Sequence, residues 1–139
     1  MSAIPAAIRT AVLERAAGHC ERCGVSAPLE LHHRMFRSRG GAHTLTNLLA
    51  LGGHGNADGC HGWAHTEGIK ATADGYQIRS NGNPEETPIL LTTGFWKLLT
   101  PEGRAEVIPM WDAIEYMHLI GAIREDPEMS RSRYGMVPE

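Results

Sequence analysis

Three cysteines and eight histidines are the residues of this 139-residue chain best suited to bind metal ions, and they are unevenly spaced. Cys20-Glu-Arg-Cys23 is a Cys-x-x-Cys pair, and a third cysteine, Cys60, follows downstream. Such a pair forms half of many zinc sites, although it also occurs in redox proteins. Because no thioredoxin-like pattern surrounds the pair and a further cysteine precedes a histidine, the spacing favours zinc.

The histidines include two further groups with possible metal-binding chemistry. His32-His33 is an adjacent pair, and His61 is followed by His65 at helical i, i+4 spacing. On a helix, residues four apart lie on one face, so both imidazoles can reach one ion. Each group alone also occurs by chance, but their combination within 46 residues argues for a site.

The elements that must position these residues are short. The patterns of apolar, Gly and Pro residues predict an α+β domain that spans residues 1–139, and the tail from Asp126 is expected to be loose. Predicted helices cover residues 5–17, 60–72 and 109–124, with Trp111, Ile114 and His118 of the last facing inward. Predicted strands cover residues 29–33, 47–51, 76–79 and 89–93, with one more strand and turn over 95–103.

Composition and charge limit the function classes. The net charge is −3, which argues against a protein that coats nucleic acid. Residues 1–46 nevertheless carry six arginines against three glutamates, a local excess of positive charge. No window approaches the length of a membrane span, and the first residues do not form a signal peptide. We therefore expect a cytoplasmic protein, in a bacterial host cell if the chain is phage-encoded, with no membrane partner.

Five segments form a combined motif in a fixed order: Gly18-His-Cys-Glu-Arg-Cys-Gly24, Leu29-Glu-Leu-His-His33, Arg39-Gly-Gly41, Thr46-Asn-Leu-Leu-Ala-Leu51 and Cys60-His-Gly-Trp-Ala-His65. Taken together, these segments resemble the HNH endonuclease family. The resemblance is closest to the small HNH proteins of phages and prophages, and it implies a ββα-metal core over residues 18–72. A C-terminal extension with a small β region and a helix would then cover residues 73–139.

The resemblance assigns roles to individual residues. His33 would be the general base, and Asn47 would orient it through a hydrogen bond to the backbone of the histidine's strand. His32, His61 and His65 would bind one catalytic divalent ion, either Mn²⁺, Ni²⁺, Zn²⁺ or Mg²⁺. Three imidazoles suit a transition metal better than magnesium, which prefers oxygen ligands.

A structural zinc would be bound by Cys20, Cys23 and Cys60. The fourth cysteine that the family places upstream of Cys60 is missing from this chain, and His54 is the nearest residue able to replace it. The alternatives are a degenerate site or a water as the fourth ligand.

Three arginines follow the histidine pair in a Gly-containing loop. Arg34, Arg37 and Arg39 could form a solvated turn, but next to a phosphodiesterase site we expect them to contact DNA phosphates. His19 and His43 receive no role.

Two functions from different classes remain. The favoured one is a metal-dependent DNA endonuclease, which in a phage would work beside a large terminase and portal in DNA packaging. The alternative is a non-catalytic, zinc-stabilised DNA-binding or assembly module. Such a module needs the cysteines but has no use for the four site histidines and Asn47, which favours the enzyme.

Overall fold

The computed structural model describes residues 3–55 and 57–124 as a mixed α+β fold with two small antiparallel sheets. Within these ranges no helix has the length and apolar character needed to cross a membrane. The elements are α1 (Ala6–Ala16), β1 (Leu29–His33), a 3₁₀ turn (Arg37–Arg39), β2 (Leu48–Gly52), α2 (Gly59–Thr66), α3 (Gly68–Ala73), β3 (Ile89–Leu90), β4 (Trp96–Leu99), β5 (Ala105–Ile108) and α4 (Met110–Leu119).

Strand β2 lies at the centre of the first half of the molecule. It pairs with β1 so that Leu48 faces His33 at one end of the ladder. Leu48 and Ala50 pack against α1, whereas Leu49 and Leu51 point to the opposite side and pack with Ala64 of α2. Because both faces of β2 are covered, its sequence is continuously apolar instead of alternating.

A buried ion pair fastens α1 to β2. Arg15 donates from Nε to Glu21 Oε1 at 2.6 Å, and the two side chains are only 4% and 8% exposed. Arg15 also donates to the carbonyl oxygens of Leu45 and Leu48, and Glu21 accepts the Ala50 N–H at 2.8 Å. Since each remaining polar atom finds a partner, the desolvation cost of this pair is offset.

The second half of the molecule forms its own small layer. Strands β3, β4 and β5 pair in that order, and Trp96 of β4 is fully buried. Ile114 and Met117 of α4 pack with Trp96 in one apolar cluster. Tyr76 connects this layer to the first half of the molecule, because it packs in the same apolar cluster as residues of β2 and β3.

The structure confirms most predicted elements and corrects others. The helix predicted over residues 60–72 is interrupted at Glu67, where ψ is 66° and the poor helix former Gly68 follows. No strand forms over residues 76–79, because the Tyr76 N–H bonds to Ala71 and the Ile78 N–H bonds to Arg34 instead of a sheet partner. Of the three positions predicted to face inward, Ile114 is buried, whereas Trp111 and His118 are only half-buried. The sequence patterns do not predict β5. The tail from Asp126 lies outside the described residues.

Arg34 is predicted to contact phosphate, but the structure places its guanidinium in the core, where it bonds to backbone carbonyl oxygens. Its side chain is fully buried directly after β1. The guanidinium donates to the carbonyl oxygens of Gly75 at 2.8 Å, Thr46 at 2.8 Å, Pro84 at 3.2 Å and Thr87. Burial lowers the pKa of Arg34 to about 9. The fork of five N–H donors thus ties β1 to three later segments.

We expect Arg34→Met to destabilise the fold strongly. It removes the charged donor and leaves several buried carbonyl oxygens without a partner, which costs about 3 kcal/mol or more in the free energy of unfolding. The matched control is Arg37→Met at an exposed position, which should change that free energy by about 0.5 kcal/mol or less. Denaturant unfolding of both metal-loaded variants measures the difference, and equal stabilities would contradict the structural role of Arg34.

Candidate functional site

Three histidine rings meet between β1 and α2. His32 comes from β1, and His61 and His65 come from one face of α2. One ring nitrogen from each lies within 4.8 Å of the others. The cluster brings together the three residues predicted to bind the catalytic ion, and the donor set is suited to hold a divalent metal.

His32 presents a ligand atom that has no other partner. Its Nε2 lies 2.7 Å from the Tyr76 carbonyl oxygen, to which it donates, so the proton resides on Nε2. Its Nδ1 is buried and has no hydrogen-bond partner among the described residues. Burial lowers the pKa of His32 to about 3, so the ring is neutral, as a metal ligand must be. A metal ion would satisfy this buried nitrogen.

Glu30 orients the His61 ring so that its other nitrogen can bind a metal ion. The His61 Nδ1–H donates to Glu30 Oε1 at 2.8 Å, and this hydrogen bond lowers the pKa of the Glu30 carboxyl. His61 Nε2 lies 3.1 Å from Nε2 of His65, so these two nitrogens can bind the same metal ion. A carboxylate behind a metal-binding imidazole fixes its tautomer and raises its basicity. Glu30 was not predicted, although strand alternation places it on the face of His32.

The surroundings of the cluster fit a transition ion better than magnesium. The donors are three imidazoles, of which two already bond to second partners through the other ring nitrogen. Phe36 stacks on His65 with ring centroids 4.9 Å apart and an interplanar angle of 15°. Burial lowers the pKa of His65 as well. The rings are thus brought together and packed before a cation enters.

His33 lies at the same end of β1 but is paired differently. Its Nε2 is 3.0 Å from Nδ1 of His43, a residue to which the sequence assigned no role. Burial chiefly, with smaller electrostatic contributions that include that of Arg37, lowers the pKa of His33 to about 4. The ring is half-buried and neutral at neutral pH, so it can accept a proton.

The side chain of Asn47 forms hydrogen bonds to backbone groups close to His33. Its Oδ1 accepts the Met35 N–H at 2.7 Å, and its Nδ2 donates to the carbonyl oxygens of Met35 at 3.1 Å and Ala42 at 3.0 Å. Asn47 is buried, and its own carbonyl oxygen accepts the Arg34 N–H. Its side chain therefore fixes the segment that continues β1 two residues beyond His33.

The three cysteines form a second cluster. The sulfur atoms of Cys20, Cys23 and Cys60 lie within 4.8 Å of one another. A hydrogen bond from Cys60, together with backbone N–H groups that include Cys23, lowers the pKa of Cys20 to about 4. Arg22 donates to the Cys60 sulfur at 3.3 Å, and its guanidinium lies 3.5 Å from the ring centroid of Trp63. The same hydrogen bond raises the pKa of Cys60, so the Cys20 sulfur is the thiolate of this pair, and thiolates are the ligands that zinc prefers among sulfur groups.

His54 is not part of the cysteine cluster, so the structure does not bear out its prediction as fourth ligand. Its Nδ1 lies 3.0 Å from Asp58 Oδ1, and the side chain is 80% exposed. Asp58 Oδ1 also accepts the His54 N–H, which closes a turn around this pair. A carboxylate four residues away therefore engages the ring.

The other two arginines stand differently from Arg34. Arg37 is exposed and donates to the Gly41 carbonyl oxygen at 2.6 Å. Arg39 is half-buried, with its guanidinium 4.5 Å from the Phe36 ring centroid and a hydrogen bond to the Ile78 carbonyl oxygen. Both remain near the histidines, and their contact with phosphate stays a prediction.

Comparison of the chain with protein-family models, curated proteins and solved structures finds no match. The function is therefore inferred from the residues of the site.

We expect the two clusters to bind metal independently. His61→Ala should lose the ion at the histidine cluster and keep the one at the cysteines, whereas Cys20→Ser should do the reverse. Cobalt titration measures both, because thiolate-to-cobalt charge-transfer absorption reports the cysteine site alone. Unchanged thiolate absorption in Cys20→Ser would refute the cysteine site, and unchanged total binding in His61→Ala would refute the histidine site.

His54→Ala should leave the cysteine site intact. Because His54 is exposed and paired with Asp58, its removal should not alter the zinc content or the cobalt–thiolate absorption. The matched variant is Cys60→Ser, which should lose both. A His54→Ala protein that releases its zinc would restore His54 as a ligand.

Proposed function

We propose that this protein is a metal-dependent DNA endonuclease of the HNH type. The observation that carries the proposal is that His33, a neutral ring at the end of β1, directly follows His32 of the cluster that also contains His61 and His65. Adjacent residues of β1 supply the base and one metal ligand, so the two functions are held by one rigid strand.

The order of elements around the site supports a ββα-metal core. An antiparallel pair, β1 and β2, is followed directly in the chain by α2, which packs on β2. The first strand ends in the histidine pair, and the helix supplies the other two imidazoles. We propose that these three elements form the ββα-metal unit that the sequence motifs predict.

The proposed reaction is hydrolysis of a phosphodiester bond. His33 takes a proton from water, the water oxygen bonds to phosphorus, and the bond from phosphorus to the 3′-oxygen breaks. The 3′-oxygen takes a proton from solvent, so the products carry 5′-phosphate and 3′-hydroxyl ends. A divalent ion bound by the three imidazoles would supply charge stabilisation for the phosphate and the leaving oxygen.

The alternative, a zinc-stabilised binding or assembly module, accounts for the cysteines only. It gives no reason for a buried His32 nitrogen without a partner or for a carboxylate aligned behind His61. Maintaining such groups costs stability, which is common at functional sites. The association with a large terminase and portal stays a prediction from the resemblance.

We expect His33→Ala to abolish cleavage while metal content and folding stay unchanged. Removal of a general base lowers kcat by at least about 100-fold. Conversion of supercoiled plasmid in Mn²⁺, Ni²⁺ or Mg²⁺ measures the rate, and labelled duplex reveals the ends. The matched control is His19→Ala, which removes an exposed histidine next to the Cys-x-x-Cys pair and should cut normally.

Two outcomes would contradict the proposal. A His33→Ala protein that cuts at the wild-type rate would exclude His33 as the base. Wild-type protein that binds both metals and still leaves plasmid and labelled duplex intact would favour the non-catalytic module.

A further inference from the structure

His43 is placed against His33 by the same asparagine that fixes the strand. Asn47 Nδ2 donates to the carbonyl oxygen of Ala42, and the Asn47 N–H bonds to Thr44 through both its carbonyl and hydroxyl oxygens. The loop on either side of His43 is thus attached to Asn47, which also binds Met35 beyond His33. The 3.0 Å approach of the two rings is built into the fold.

Only one arrangement of protons in this pair leaves His33 able to act as a base. One of the two facing nitrogens, His33 Nε2 or His43 Nδ1, must carry the hydrogen that lies between them. If His43 donates, the proton of neutral His33 resides on Nδ1 and both nitrogens of His33 are occupied. If His33 donates from Nε2, its Nδ1 keeps a free lone pair.

We propose that His43 is a positioning residue that accepts the His33 Nε2–H and holds His33 in the tautomer with a free Nδ1. This inference rests on the proposed function. It corresponds to the general rule that a base is itself oriented by a third group. It also gives a use to a loop histidine that the sequence left without one.

Three substitutions at His43 separate positioning from simple packing. In His43→Asn the side-chain oxygen branches from the same carbon as the imidazole Nδ1, so an acceptor remains in nearly the same place. His43→Gln moves the acceptor one carbon further out, and His43→Leu removes it while keeping similar volume. We expect Asn to retain kcat within about threefold, while Gln and Leu lower kcat on the order of 10- to 100-fold with little change in KM.

Nitrogen NMR of ring-labelled protein loaded with Zn²⁺ provides a readout that does not need activity. We expect His33, assigned by its absence in His33→Ala, to show a protonated Nε2 and an unprotonated Nδ1 in the wild type and in His43→Asn. In His43→Leu the two tautomers should exchange. A packing role would lower activity equally in the Asn and Leu variants and leave the His33 signals unchanged.

The outcomes also separate this inference from the proposed function. Wild-type kcat in His43→Leu, or a His33 proton found on Nδ1, would overturn the role of His43 while leaving the endonuclease intact. If the wild type cuts no DNA but the tautomer follows the expected series, the proposed reaction fails and the contact between the two rings stands.

Discussion

The architecture depends on where α2 begins. This eight-residue helix carries Cys60 and His61, which are adjacent in sequence yet belong to different metal-binding clusters. An isolated helix of this length is unstable in water, so its position must come from contacts outside it. One side packs through Ala64 against β2, and its first turn is held by the cysteine cluster. The position of Cys60 therefore contributes to the position of the His61 imidazole, which the hydrogen bond to Glu30 holds as well.

Two glycines allow the chain to reach that starting point. A Cβ on Gly53 would lie 2.2 Å from the Asp58 carbonyl oxygen, and one on Gly59 would lie 2.5 Å from that of Gly52. Both have positive φ, and the backbone before α2 can approach the end of β2 this closely only because neither residue has a side chain. Glu30 then accepts from the Gly55 N–H and from His61, which connects this close approach to β1. The loop before α2 is part of the site's framework.

The sequence predicted what depends on local spacing and missed what depends on distant partners. Periodicity and residue type predict strand β1, the helical pair His61 and His65, and the Cys-x-x-Cys pair. Arg34 could not be distinguished from its neighbours, because its carbonyl partners lie 12 to 53 positions away. The spacing of His54 also could not show that the folded loop leaves its ring exposed and outside the group formed by the three cysteines. The pairing of His43 with His33 likewise arises from a loop that Asn47 folds back.

Burial of Arg34 changes how the proposed substrate would be bound. Of the three loop arginines, Arg34 is buried in the core, and Arg39 contacts the Phe36 ring and the Ile78 carbonyl oxygen. Arg37 is the exposed arginine of this loop beside His33. Each phosphate contact contributes to the steepness with which salt weakens binding. In the proposed reaction, a loop with one exposed arginine would add little phosphate neutralisation, and selectivity for the scissile bond would come from the geometry of the metal ligands and the base. Tyr76 and Glu30, which bond to His32 and His61, fix the orientation of two rings of the histidine cluster, as such a reaction would require.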